Sequence, residues 1–407
     1  MDDKVRAAGH SPLAVSADVE LAGRLAACAA SLVGTAHAAG WRGADPYDGL
    51  HWGWPGALVS TSRRRQLVVQ AHARAPIDLR AWRRQKPPRI AKTLALCSQA
   101  ALGLAELTGE GAMERSGRAA ARMLAGGRAA GESAWGYPFP VQTRWSYYAA
   151  GAPNVVASAF AIEALVAASD RLGEPELRAC AEEAAGWVRD RLVRRDGHIA
   201  YHEQSDALIH NANLLGALAL HRARGHEARD VVRRAVDITL AAQRDDGSWP
   251  YGAGGGLQFV DSFHTAYVLR CLIGVECGDP ALDVAVRRGA EHWAERFFDG
   301  RGRARLWGGR RYPEDGHAAG TALSLLPVLA ARDAAFGDLL RLVARRALSA
   351  MVRNGRVVHR RYRLGRSLVS YVRWCDAHMA AGMVAAAAHL ALADRHASAR
   401  HARETVA

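Results

Sequence analysis

Asp261 and His264 stand three residues apart in the run Asp261-Ser262-Phe263-His264-Thr265. On a helix this spacing puts both side chains on one face, where a carboxylate can orient an imidazole for proton transfer. An aspartate at a helix start can also serve only as its N-cap. Asp315 and His317 stand at the equivalent place one repeat later, and His210 with Asn211 one repeat earlier. A histidine recurring at one position of three successive units points to a shared site, with core packing and capping open to each. A metal held by His210, His264 and His317 has no HExxH or Cys/His spacing behind it, so neither a metal nor a cofactor is expected.

The segment Tyr371, Arg373, Trp374, Asp376, His378 is also dense in reactive types. Its arginine can neutralise a substrate carboxylate, and its tyrosine or histidine can move a proton. Two aromatic loops precede it. One runs from Asp45 through Tyr47 and Asp48 to Trp54, the other from Trp135 and Tyr137 to Arg144 and Trp145. Flat rings beside carboxylates and arginines suit a sugar ring. The same rings can steady a carbocation or simply plug a barrel end. The expected catalytic set is therefore Asp261, His264, Asp315, His317 and Tyr371. The expected substrate contacts are Asp45, Tyr47, Asp48, Trp135, Tyr137, His210, Asn211, Trp249, Tyr251, Trp307, Arg373 and Asp376.

These residues need elements that bring them together. After residue 154, alanine- and leucine-rich helices alternate with polar loops. Four loops share a glycine followed by an aromatic: Gly197 to Tyr201, Gly247 to Trp249, Gly302 to Trp307 and Gly355 to Tyr362. Glycine supplies a left-handed turn at the helix end. His210, His264 and His317 are spaced by 54 and 53 residues. Each unit reads as a small-residue inner helix, a turn, an Arg- and Glu-rich outer helix and a longer loop back. Further helices are predicted near 15–38, 60–74, 89–108 and 113–126. The count gives an all-α (α/α)6 toroid over 1–407, with 1–14 and 396–407 as flexible tails, and an open solenoid as the alternative. No β-rich segment is expected. The long loops and inner-helix starts should converge on the mouth of a central cavity, where helix N-termini favour an anion.

Composition narrows the partners. The 407 residues are 50% hydrophobic, ample for a large core, and carry a net charge of +14. Lysine occurs only at Lys4, Lys86 and Lys92, so arginine supplies the positive charge. The arginines are scattered; Arg63-Arg64-Arg65 and Arg83-Arg84 are short clusters, not the stripe a nucleic acid needs. An anionic or sugar-containing small molecule or glycan is the expected partner. The six cysteines form no CxxC pair and read as buried hydrophobes. No secretory signal and no unbroken membrane-length apolar run are visible, which makes the cytoplasm the expected compartment.

The stretch Gln243-Arg244-Asp245-Asp246-Gly247-Ser248-Trp249 resembles the QW-type repeat of terpenoid cyclase and prenyltransferase toroids. Squalene-hopene-type cyclases carry Asp-x-Asp-Asp-Thr-Ala at an inner-helix start, with the middle aspartate as proton donor. Here Asp261-Ser262-Phe263-His264-Thr265-Ala266 keeps the first aspartate and Thr-Ala but has Phe263 for the acid, which argues against that chemistry. The combination of Asp45-Pro46-Tyr47-Asp48, Trp135-Gly136-Tyr137, Asn211-Ala212-Asn213, Trp249-Pro250-Tyr251 and the Asp261 run resembles a bacterial branch of prenyltransferase-like toroids associated with surface-polysaccharide biosynthesis. The resemblance implies a carbohydrate context. Together with the residues it predicts an enzyme acting on a sugar or polysaccharide intermediate by hydrolysis, elimination or epimerisation, with Asp261 and His264 central. A terpenoid or polyprenyl-diphosphate enzyme and a non-catalytic carbohydrate-binding toroid are the alternatives.

Overall fold

The computed structural model describes residues 16–75, 78, 80, 86–143, 146–275 and 279–406. The expected tail 1–14, the pair Arg83-Arg84, and Arg144 with Trp145 lie outside them. Ring helices come in pairs: α4 (Ala91–Thr108) with α5 (Gly111–Ala125), α6 (Val155–Leu172) with α7 (Pro175–Leu192), and α8 (His210–Arg224) with α9 (Arg229–Leu240). The next are α10 (Ser262–Gly274) with α11 (Pro280–Phe297), and α12 (Gly316–Arg332) with α13 (Ala335–Arg346). The sixth pair joins the two ends of the chain, α14 (Ala377–Val406) packing on α1 (Ala17–Ala38). Neighbour contacts run α4, α6, α8, α10, α12, α14 and back to α4. The ring is thus closed, an (α/α)6 toroid.

The inner helices are apolar on nearly every side, as helices packed on both flanks have to be. In α6, for example, all residues from Val155 to Ile162 are buried. The outer helices α9 and α13 are buried along one stripe only, such as Val232, Ala235, Val236 and Thr239 of α9. Where α12 and α14 cross, the backbones touch. A Cβ on Gly320 would lie 2.8 Å from the Met379 nitrogen, and one on Gly382 would lie 2.4 Å from the Gly320 carbonyl oxygen. Only glycine allows that approach.

Short turns join inner to outer helices at one end, and long loops join outer to inner helices at the other. The shared loop glycines adopt left-handed backbone, with φ of +95° at Gly197, +83° at Gly247, +68° at Gly302 and +67° at Gly355. They turn the loops several residues beyond the helix ends instead of capping the helices. The loops also hold short antiparallel ribbons that the sequence did not announce: β1 (Val141–Gln142) with β2 (Tyr147–Tyr148), β3 (Glu314–Asp315) with β6 (Arg360–Tyr362) and β7 (Gly365–Arg366), and β4 (Val352–Arg353) with β5 (Arg356–Val357). Two- and three-residue strands carry no alternation to read. The short α2 (Gly56–Val59) and α3 (Ser62–Arg74) are not ring helices; α3 packs on the loop end, against residues 48–50 and 141–142.

Two helices have the length and mean hydropathy of a membrane span, Ala17–Ala38 at 1.3 and Val372–Asp394 at 1.2. Both are built into the ring. The stretch 396–407, expected as a tail, is helical as far as Val406. Cys97, Cys180, Cys271 and Cys375 are buried, in keeping with their reading as small hydrophobes.

Candidate functional site

The inner-helix starts do meet at the loop end, but side chains fill that end. Arg373 and Asp45 form a fully buried bidentate ion pair, with Arg373 Nη2 2.8 Å from Asp45 Oδ1. Burial opposes the Arg373 charge, yet Asp45 outweighs it and holds the guanidinium above its ordinary pKa. Asp48 makes a second buried pair with Arg80. Asp376 accepts from the Val357 backbone at 2.8 Å, from Arg356 and from Ser370. Tyr371 is buried between Arg80 and His359, and burial pushes its hydroxyl up to about 12. Asp45, Asp48, Arg373 and Asp376, expected to touch substrate, therefore hold the loops, and Tyr371, expected in the catalytic set, is buried among them.

Three other expected contacts are structural as well. Trp135 Nε1 donates to the Leu124 carbonyl and Trp249 Nε1 to the Thr239 carbonyl, each at 2.9 Å. Each tryptophan satisfies the last turn of the preceding outer helix and so pins it, which explains the aromatic after the loop glycine at Trp249. His210 is buried with Nδ1 3.3 Å from Thr239 Oγ1, and burial pushes it down to about 4. Asp315 caps α12 through the His317 and Ala318 amides and receives Arg360 on its other oxygen. With both oxygens engaged and no exposure, it cannot act as the expected acid.

Asp261 and His264 do form a dyad. Asp261 Oδ1 caps α10 through the His264 amide at 3.0 Å, and Oδ2 receives His264 Nδ1 at 2.6 Å. Capping and orienting are served by the two oxygens of one carboxylate. His264 is half-buried, 4.5 Å from the Tyr251 ring and 4.2 Å from Phe263. Tyr251 stacks on Phe259, and Phe259 meets Trp307 edge-on. The crevice they share with Asn211 has a volume of only about 10 Å³, room for about one water. Tyr47 leans on Trp374, and Tyr137 lies under Arg373 against Phe139. The aromatics nearest the axis pack on one another; the room at this end lies off the axis, in a cleft of about 580 Å³ beside Arg244, His292 and Trp307 and one of about 860 Å³ beside Arg42, Trp52, Arg80 and Arg356.

A polar cluster on the axis was only partly visible in the sequence. Tyr267 Oη lies 3.0 Å from Lys92 Nζ, 2.9 Å from His317 Nε2 and 3.1 Å from His378 Nε2. His317 Nδ1 donates to the Trp374 carbonyl, which leaves its Nε2 to accept the Tyr267 proton. Lys92 and the Nε2–H of His378 then donate to the phenol oxygen, giving the cluster one direction. Burial holds His317 and His378 well below the ordinary histidine range, and Lys92 adds to this. Burial likewise depresses Lys92, with Arg373 and Arg270 contributing, and raises Tyr267 well above a free phenol. Lys92 also sits 4.0 Å over the Phe160 ring.

Tyr267 and His378 form part of the lining of a cavity of about 920 Å³. It follows the inner helices away from the loops and reaches the short-turn end at the exposed Val328 and Leu392. The opening is thus opposite to the end expected. Capping carboxylates and loops occupy the helix N-termini, whereas the short turns cannot reach across the axis. Glu163 and Arg270 face each other in the wall as a bidentate pair, at 2.8 and 3.0 Å.

Lys92, Glu163, Tyr267 and Arg270 were not legible from residue type and spacing. The available signal was a charge inside an apolar stripe: Lys92 is one of three lysines, and Glu163 and Arg270 interrupt buried helices. No protein-family model and no curated protein matches the sequence. Solved structures do match the fold. A sugar epimerase from a ruminal bacterium superposes with a TM-score of 0.60 at 12% identity, over 74% of this chain and 87% of that one. Cellobiose 2-epimerase from Spirochaeta thermophila gives 0.59 at 13% identity, over 75% and 88%. An unsaturated glucuronyl hydrolase from a Bacillus species gives 0.57 at 14% identity, over 74% and 87%. At such identities the likeness is one of architecture.

Proposed function

We propose that this protein is an enzyme that moves a proton on a sugar-containing substrate, epimerising it or eliminating across it, at the floor of the axial cavity. The Tyr267 hydroxyl shared by Lys92, His317 and His378 carries the reading. A phenol kept protonated beside imidazoles kept neutral is an acid and base pair at neutral pH. His378 and Tyr267 face the substrate; His317 and Lys92 act through Tyr267. Hydrolysis is the poorer fit, because it uses two carboxylates across the scissile bond and Glu163 is already engaged by Arg270. The sugar epimerases among the similar structures support a sugar substrate, as does the resemblance to bacterial toroids associated with surface polysaccharides.

A second reading rests on the Asp261–His264 contact of 2.6 Å, which orients a half-buried imidazole at the loop end. A terpenoid cyclase has less support. Phe263 packs between His264 and His317 where the acid would stand, and Phe160 and Tyr267 are the only aromatic residues among the described residues lining the cavity.

The test is NMR of reducing disaccharides and unsaturated uronides incubated with the chain in D₂O. Deuterium should enter at a sugar carbon with the parent protein. Tyr267→Phe and His378→Asn, with folding verified by circular dichroism, should slow exchange by about 100- to 10,000-fold. Hydrolysis without exchange, or parental rates in both variants, overturns the proposal.

A further inference from the structure

The two sides of the cavity differ in chemistry. Ala381, Ala385, Ala388 and Leu392 of α14 recur at intervals of four, three and four, so they form one stripe. They line the cavity and stay partly exposed, Leu392 by 50% and its α12 neighbour on the wall, Val328, by 39%. Among the described residues, α12 and α14 contribute no carboxylate, arginine or lysine to the lining. The lining carboxylates and arginines come from the other side: Glu106 of α4, Glu163 and Arg171 of α6, Arg222 of α8 and Arg270 of α10.

Two of the three arginines are neutralised, Arg270 by Glu163 and Arg171 by Glu106 at 3.0 Å. Among the described residues Arg222 has no carboxylate partner across the cavity. The inner-helix ends here carry negative partial charge, so an anion could be held only by such a guanidinium. A free sugar would leave the α14 stripe against water. The stripe spans about 16 Å at 1.5 Å per residue, which suits an extended alkyl chain.

We infer that the cavity takes a sugar carried on a hydrocarbon chain through a phosphate, with the chain along α14 and α12 and the phosphate at Arg222. The inference rests on the proposed sugar chemistry for its reacting group. The chain enters from the short-turn mouth beside Leu392 and Val328, and the sugar reaches Tyr267 and His378 at the floor. The apolar wall and Arg222 then serve recognition, and the axial cluster serves reaction.

Calorimetric titration of the full chain with octyl, decyl and dodecyl phosphate below their micellar concentrations, and with inorganic phosphate, tests this. Affinity should rise by about fourfold per methylene, with inorganic phosphate the weakest. Arg222→Ala should weaken every alkyl phosphate by about tenfold. Ala385→Asp should abolish the dependence on chain length while the thermal midpoint confirms folding. Affinity independent of chain length, absence of binding, or an unchanged series in both variants overturns the inference. Binding is read without turnover, so the two proposals fail separately. A protein inert in the D₂O assay that keeps the series loses the sugar reaction and keeps the chain site. One that exchanges free sugars without the series keeps the reaction and loses the chain.

Discussion

The same six inner helices end in a layer of packed side chains across the axis on one side and an open axial cavity on the other. At the loop end, long connections reach across the axis and the helices' own caps supply the anions that their N-termini attract. At the turn end, the connections are too short to cross, so the axis stays open. The contrast teaches that convergence of reactive side chains does not make a site. Asp45, Asp48, Asp315 and Asp376 converge and are spent on arginines and backbone amides. Fewer groups line the cavity floor, but they meet both one another and open space.

The largest expected effect decides between the two ends. In the D₂O assay, Tyr267→Phe should lower kcat/KM by about 100- to 10,000-fold, while His264→Asn stays close to the parent. The reverse order would move the chemistry to the loop-end dyad.

Stability should divide the ends as well. Arg373→Met removes the guanidinium partner of the buried Asp45 carboxylate and leaves it the Tyr47 amide, which should cost about 3–5 kcal/mol in urea unfolding. Arg270→Met should cost less, since the side chain of Arg270 is 29% exposed and cavity solvent can reach it. Equal losses would mean that the loop end is no better sealed than the cavity.

A smaller effect concerns pH. His210 and His359 are pushed down to about 4 by burial. The unfolded chain binds their protons near the ordinary value of about 6.5, whereas the folded chain resists. Their contribution is therefore present above about pH 6.5 and lost as pH falls toward 4, at roughly 3 kcal/mol each. Urea midpoints should fall across that window, and His210→Gln should flatten the fall. An unchanged slope in that variant would show that His210 is not held neutral.

The ring was legible because its signals are local. Small-residue inner helices, charged outer helices and a period near 54 are all properties of neighbouring residues, and the predicted helix 89–108 lies within two residues of Ala91–Thr108, whereas the predicted helix 60–74, counted towards the hairpins, lies outside the ring as Ser62–Arg74. The role of α1 was not legible, because pairing with α14 is a contact between the two ends of the chain. The Asp261–His264 dyad was readable from i, i+3 spacing on one helix. The axial cluster was not, since Lys92, Tyr267, His317 and His378 come from four different inner helices.

By itself the sequence determined the helices, their order of burial and which of them face the axis, because hydrophobic periodicity is written residue by residue. Tertiary structure alone decided which end is open and which charged groups are spent. Those outcomes depend on loop reach across the ring and on how closely backbones approach, as at Gly320 and Gly382. Neither quantity has a local trace in the chain.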